Sequence, residues 1–223
     1  GKAAILRRSG LMRINISLDS LDPVRFREIT GGGVLEKTLA GIQAARDAGL
    51  HPIKLNTVVL RGRNDREVVD LVRFAEEQGA ELRFLELMPI GMASAGFAES
   101  FVSSAEVRER LEEAFDLEPL PERPEDTSRD FVVRRERGGG TVIGFVSPYS
   151  QPFCAGCWRL RLTAAGSLIG CLARPQGIPL SWDRHGGSRL DAGAVCEAVD
   201  LALGLKRRDG NFVQPRHMVM IGG

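Results

Sequence analysis

Pro52-Ile53-Lys54-Leu55-Asn56-Thr57-Val58-Val59-Leu60 is the stretch on which the fold turns. Its β-branched residues favour a strand, and Gly62 ends it. Ile53 and Leu55 fall on one face, Lys54 and Asn56 on the other. Upstream, Leu35, Leu39, Ile42 and Ala45 repeat at helical spacing over Val34 to Gly49, and Gly49 can close that helix. Downstream, Asn64 with Glu67 reads as a capping box for a helix whose buried stripe is Val68, Leu71, Val72 and Ala75. Gly79 ends it, and Glu81 to Met88 (ELRFLELM) reads as the next strand. Earlier still, Met12 to Leu18 (MRINISL) alternates like a strand, and Asp22-Pro23 starts a helix with an Asp cap and Pro at its first position. Gly31-Gly32-Gly33 breaks that helix as a loop. Strand, helix, strand, helix, strand calls for parallel strands with crossover helices, an α/β fold.

Two of these strands carry a polar row: Asn15, Ser17 and Asp19 on the first, Lys54 and Asn56 on the second. Parallel strands covered on both faces read as continuous apolar runs, so such a row predicts a face lining a wet or ligand-filled space. A solvated face of an ordinary mixed sheet is the other reading; an open barrel with a polar lumen fits the pattern better. At the chain start, Ile5, Leu6 and Arg7 look like the end of a helix closed by Gly10, an opening that suggests a piece missing upstream. Beyond Met88 comes a loop from Pro89. Ser103 and Glu106 then predict a capping box for a helix through Phe115, and Asp116 to Arg129, with three prolines, reads as a surface linker. Phe131 to Arg134 and Thr141 to Val146 suggest an antiparallel hairpin. The change in character places a boundary near residue 100, giving regions 1–100 and 101–223.

The chain of 223 residues has 30 Lys+Arg against 29 Asp+Glu and is 43% hydrophobic, which suffices for a real core. A net charge of +1 argues against an all-over basic nucleic-acid binder, so any anion site is local. No apolar run of about eighteen residues and no signal-peptide stretch occurs, so a cytoplasmic location is expected, with no membrane and no nucleic-acid partner.

Three of the 4 cysteines, Cys154, Cys157 and Cys171, give the spacing C-x2-C-x13-C. Two thiolates two residues apart can grip one metal centre, and a hairpin turning at Ala165-Gly166 can return the third. A fourth ligand is not obvious. Cys196 shares a helical stripe with Val199 and Leu203, where a buried packing role is expected, and His185 lies in a Gly-rich loop. Spacing alone leaves zinc and an iron-sulfur cluster even. Arg159 and Arg161 alternate after Cys157, so a phosphate clamp and a solvated strand face both fit.

The runs Asn15 to Asp22 (NISLDSLD), Lys54 to Val58, Leu82 to Met88, Phe153 to Thr163 with Cys171-Leu172, and the terminal Ile221-Gly222-Gly223 together resemble the molybdenum cofactor biosynthesis protein A family, the radical S-adenosylmethionine GTP 3′,8-cyclases. The resemblance runs nearly the full chain in order. It implies the C-terminal part of an incomplete (βα)6 TIM-type barrel followed by a smaller α+β iron-sulfur region. By position it makes Cys154, Cys157 and Cys171 ligands of a [4Fe-4S] cluster whose open iron accepts guanine. Lys54, Arg83, Arg159, Leu160 and Arg161 would meet GTP, Ser17 and Met88 would contact S-adenosylmethionine, and Gly222-Gly223 would reach into the active site and assist the reaction. The implied lyase reaction converts GTP to (8S)-3′,8-cyclo-7,8-dihydroguanosine 5′-triphosphate through a 5′-deoxyadenosyl radical. An external reductant serves the radical cluster, and a homodimer is a further expected partner. Two departures stand out: Trp158 replaces the family Asn, and the C-x3-C-x2-C motif of the second [4Fe-4S] cluster does not occur in these 223 residues. That motif belongs upstream of Gly1, so the chain is expected not to cleave S-adenosylmethionine by itself. A non-catalytic zinc- or nucleotide-binding module is the competing expectation, and another radical-enzyme family with a similar auxiliary region is a third.

Overall fold

The computed structural model describes residues 1–134, 140–180 and 192–206. It divides into two compact units, one of residues 1–87 with 98–150 and one of residues 88–97 with the described residues from 151 onward.

The first unit opens with α1 (Lys2–Arg8), β1 (Ile14–Ser17), α2 (Pro23–Thr30), α3 (Leu35–Asp47), β2 (Ile53–Val59), α4 (Val68–Glu77) and β3 (Glu81–Glu86). Local chemistry sets several of these ends. The Asp22 carboxylate accepts from the Val24 and Arg25 N–H groups at 2.9 Å, Pro23 supplies the fixed φ of the first turn, and Gly31 closes α2 at φ 69°. Strands β1, β2 and β3 pair in parallel, as the strand and helix alternation predicts. Along β2, Ile53, Leu55, Thr57 and Val59 are buried while Lys54, Asn56 and Val58 are half-buried. Leu55, Leu82 and Phe84 pack with Ile42 of α3 and Leu71 and Val72 of α4 in one core.

After β3 come α5 (Phe97–Ser100), α6 (Ser104–Glu112), β4 (Asp116–Pro119), β5 (Arg129–Arg134) and β6 (Gly140–Val146). The predicted hairpin forms, with β5 and β6 antiparallel. Two local expectations are corrected here. Asp116–Pro119, expected within a linker, is an edge strand paired to β5, because the Pro119 end lies at the sheet margin where a missing N–H is tolerated. The sixth helix stops at Glu112, with Ser103 Oγ accepting from the Glu106 N–H as predicted. β6 then pairs in parallel with β3, giving the order β1-β2-β3-β6-β5-β4, so the sheet extends across the compositional boundary near residue 100.

Asn64 and Glu67 do not form the predicted capping box; α4 begins at Val68 without a side-chain cap. Asn64, fully buried, accepts from the Leu60 N–H at 2.7 Å and donates to the Asp19 and Val58 carbonyls at 2.6 and 2.8 Å. Glu67 accepts from Ser20 Oγ at 2.8 Å, the Leu21 N–H at 2.9 Å and Arg25 at 2.9 Å. Both side chains serve the loop after β1, whose buried backbone groups have no ladder partner and would otherwise be orphaned. Glu86, also buried, ends β3 and accepts from the Ser104 and Ser150 N–H groups at 2.9 Å, the Tyr149 N–H at 3.2 Å and the Ser150 hydroxyl.

The second unit holds β7 (Arg161–Leu162), β8 (Ser167–Cys171) and β9 (Arg174–Pro179), an antiparallel sheet, and α7 (Ala192–Gly204). The expected turn is present, with Gly166 at φ 78°. Leu168, Ala198 and Ala202 are buried, with Leu160, Ile178, Leu180 and Val199 packed on them. A Cβ on Gly170 would lie 1.9 Å from the Ala202 carbonyl oxygen, so the helix backbone rests directly on β8 there. Cys196, expected to be buried, is exposed. Ala198 and Ala202, four residues apart, turn one face to the sheet, and Cys196 lies about 200° around the helix from Ala198.

Asn64→Ala should cost about 2–4 kcal/mol in urea or guanidinium unfolding, because it strands one N–H and two carbonyls in a dry turn. The exposed Gln43→Ala serves as control and should stay within about 0.5 kcal/mol.

Candidate active site

The strand register builds a transverse row on the polar face of the sheet. Ser17 of β1 lies beside Asn56 of β2, Asn56 beside Arg83 of β3, Arg83 beside Gly144 of β6, and Gly144 beside Asp130 of β5. Gly144 leaves the space at this crossing to the Ser128 and Asp130 side chains. A Cβ there would meet Ser128 Oγ at 2.3 Å, Asp130 Oδ1 at 2.4 Å and Arg83 Cγ at 3.4 Å. Ser128 donates its hydroxyl proton to Asp130. Asn56 Oδ1 and Arg83 Nε are buried atoms without a hydrogen-bond partner. An acceptor and a donor left unmade side by side cost free energy and mark a place where a polar ligand would be bound.

One row over, Asn15, Lys54 and Glu81 are neighbours, and Lys54 Nζ lies 2.5 Å from Glu81 Oε2. The structure therefore brings Ser17, Lys54 and Arg83 to one sheet face, with Lys54 held by an internal carboxylate. Asn56 and Asp130 join them. The alternation along β2 already places Asn56 on that face, whereas Asp130 lies after the stretch read as a linker, and only the register reveals it.

Just beyond Ser17, Asp19 accepts from the Val58 N–H at 2.9 Å. Burial pushes its carboxyl above the usual range, and that hydrogen bond offsets only part of the rise.

In the other unit, Cys154 to Gly156 form a tight turn, and the Cys157 N–H donates to the Cys154 carbonyl at 3.3 Å. Cys171 ends β8 opposite Arg174. Cys154, Cys157 and Cys171 are half-buried thiols, outside any disulfide. Burial pushes the Cys157 thiol up, but hydrogen bonds from the Arg159 backbone and side chain, with the charges of Lys206 and Arg159, outweigh it and leave the thiol below its ordinary value. Arg159 is exposed and stacks over the Phe153 ring at 5.0 Å. Arg161 is half-buried, and Leu160 between them packs into the small core. Trp158 is 74% exposed. Among the described residues no three His, Cys, Asp or Glu side chains converge closely enough to hold a metal ion. The donor set itself, three thiols beside cationic groups and backbone dipoles, suits iron or zinc. Met88, two residues past β3, is half-buried, and its carbonyl accepts from the Ile90 N–H at 2.7 Å. His185, Gly222 and Gly223 lie outside the described residues. No helix among the described residues is long and apolar enough to cross a membrane.

The first unit is an α/β sheet whose central strands pair in parallel and carry a polar face, and the same chain holds a hairpin with three cysteines. Residues 1–75 match the Radical SAM superfamily, and residues 80–210 match Molybdenum Cofactor Synthesis C. A GTP 3′,8-cyclase of Pseudomonas putida (strain W619) is 49% identical over 219 residues, 96% of this chain and 62% of that protein. One from Moorella thermoacetica is 40% identical over 220 residues, 98% of this chain and 67% of that protein. A third, from Pseudomonas savastanoi pv. phaseolicola, is 47% identical over 179 residues, 80% of this chain and 53% of that protein. The chain belongs to the GTP 3′,8-cyclase family of radical S-adenosylmethionine proteins. It spans roughly half to two thirds of the length of these relatives.

Asp19 supplies a pH test. Its folded carboxyl holds its proton more tightly than the unfolded one, so its contribution to stability is full in acid, below the unfolded value, and is lost as pH rises through the raised folded value. Asp19→Asn keeps an acceptor for Val58 without the charge. Urea melts from about pH 4 to about pH 7 should show wild type losing stability relative to the variant. A difference that does not change with pH would count against this.

Proposed function

We propose that this chain carries the substrate half of the active site of a GTP 3′,8-cyclase in molybdenum cofactor biosynthesis. The observation that carries the reading is the Cys154, Cys157 and Cys171 hairpin with Arg159 and Arg161, in a chain whose relatives bear that name over nearly its whole length. In this reading residues 1–100 are the later part of an incomplete (βα)6 TIM-type barrel, and their polar strand face is the lumen. Residues 101–223 form the region of the second cluster and the GTP site.

Each residue then has a chemical task. Cys154, Cys157 and Cys171 would hold a [4Fe-4S] cluster with one iron left open for guanine, which three thiolates without a fourth allow. Lys54, Arg83, Arg159 and Arg161 bind and orient the nucleotide, chiefly its triphosphate, with Leu160 setting the spacing of the last two. Lys54 must leave Glu81 or share it, so nucleotide binding exchanges one anion for another at that ammonium. Ser17 and Met88, at or just past strand C-termini, contact S-adenosylmethionine. Gly222-Gly223 would assist the reaction. S-adenosylmethionine with its own [4Fe-4S] cluster would supply, when bound, the radical chemistry that exchanges the ribose C3′–H bond for a C3′–C8 bond, the external reductant giving the further electron and solvent the proton that complete the dihydro product. The C-x3-C-x2-C ligands of that cluster do not occur in these 223 residues.

Anaerobic reconstitution with iron and sulfide should load about four irons per chain. Cys157→Ala should abolish loading, as read by iron analysis and visible absorption. Stable binding of a single zinc in place of iron and sulfide would overturn the proposal. So would GTP binding unaffected by removal of all three cysteines, which would make the chain a nucleotide-binding module.

A further inference from the structure

Lys206 lies two residues beyond α7 and outside every motif discussed above. Its ammonium donates to the Arg159 carbonyl at 2.5 Å and the Gly170 carbonyl at 3.0 Å, and lies 3.5 Å from Cys157 Sγ. These acceptors belong to two separate pieces of the cysteine hairpin. Cys157 and Arg159 lead into β7, and Gly170 immediately precedes Cys171 on β8. One side chain therefore ties the turn bearing Cys157 to the strand bearing Cys171. An ammonium has three donor directions, and two carbonyls and a thiol use all three.

The helix is placed for this contact by packing. Ala202 rests against β8 where Gly170 lacks a Cβ, and Lys206 follows Ala202 by four residues, about one turn. The Leu205 N–H to Leu201 carbonyl and Lys206 N–H to Leu203 carbonyl bonds carry the turn to that point. Any side chain at position 170 would lift the helix and draw Lys206 away from the hairpin.

We propose that Lys206 is a positioning residue for the auxiliary cluster. It holds the Cys157 and Cys171 segments at a common spacing and places a fixed positive charge against the Cys157 sulfur. This rests on the reading of the three cysteines as cluster ligands. A cation beside a ligating sulfur stabilises the more negative, reduced cluster and raises its potential. Lys206→Met removes both tether and charge, Lys206→Gln keeps donors for the carbonyls without the charge, and Lys206→Arg keeps the charge.

The experiment uses the whole 223-residue chain, reconstituted anaerobically with iron and sulfide, with folding checked by circular dichroism. Iron release to a chelator and the cluster midpoint potential, followed by electron paramagnetic resonance, are the readouts. Lys206→Met should release iron roughly tenfold faster than wild type and shift the potential to more negative values. Lys206→Gln should show the negative shift with a smaller gain in release rate, and Lys206→Arg should restore the wild-type potential. Should Lys206→Met fail to fold, the Gln and Arg pair decides the charge role alone. Wild-type release and potential in Lys206→Gln and Lys206→Met would overturn the proposal while leaving the ligand assignment intact. Failure of the wild-type chain itself to load iron and sulfide would instead overturn the ligand assignment, and this proposal with it.

Discussion

Parallel strands end in loops whose backbone groups have no ladder to join, and this molecule meets that constraint with buried side chains. Asn64 closes the end of β2 and reaches the loop after β1 through the Asp19 carbonyl. Glu67 binds the same loop at Ser20 and Leu21. Glu86 binds the N-terminus of α6 and the segment after β6. Each costs free energy to bury and repays it only when all its partners are in place, so the loops at the strand C-termini are fixed as a set. That end of a parallel sheet is where α/β proteins of this type place their chemistry. Ser17 closes β1 at this end, with Asp19 just beyond it.

The polar face depends on that frame. Its row of hydroxyl, amide, guanidinium and carboxylate is in register because four strands pair in parallel and β5 returns antiparallel. Arg83 and Asn56 keep unpaired atoms there, while Asp130 accepts a hydrogen bond from Ser128 and Lys54 is ion-paired to Glu81. Ligand binding on this face would therefore satisfy some groups and exchange partners at others, which favours a polar, hydrogen-bonding molecule over an apolar one.

The cysteine hairpin solves a different problem at smaller scale. A three-stranded sheet of short strands has little core, and α7 supplies the second layer through Ala198 and Ala202. Small residues let the helix approach closely, and the bare Cα of Gly170 makes the approach closer still. The same closeness brings Lys206 to the thiol of Cys157, so the packing and the electrostatics of the hairpin share one cause.

Much of this was legible in the chain because it depends on near neighbours. Asp22 caps α2 through its own next residues, the faces of β1 and β2 follow from period two, and the spacing of Cys154 and Cys157 makes a two-thiol turn. The sequence alone thus determined the parallel α/β start, a polar strand face and a cysteine hairpin, and its motif order pointed to the family. Tertiary structure decided the rest. Asn64 and Glu67 carry the letters of a capping box but face stronger demands from a loop far away in sequence. Asp130 joins Arg83 only through β6, Cys196 turns outward because Ala198 and Ala202 turn inward, and Lys206 meets Cys157 only where Gly170 admits a helix. Local rules see a residue's own turn or strand, whereas these contacts are set by register and close packing between distant segments.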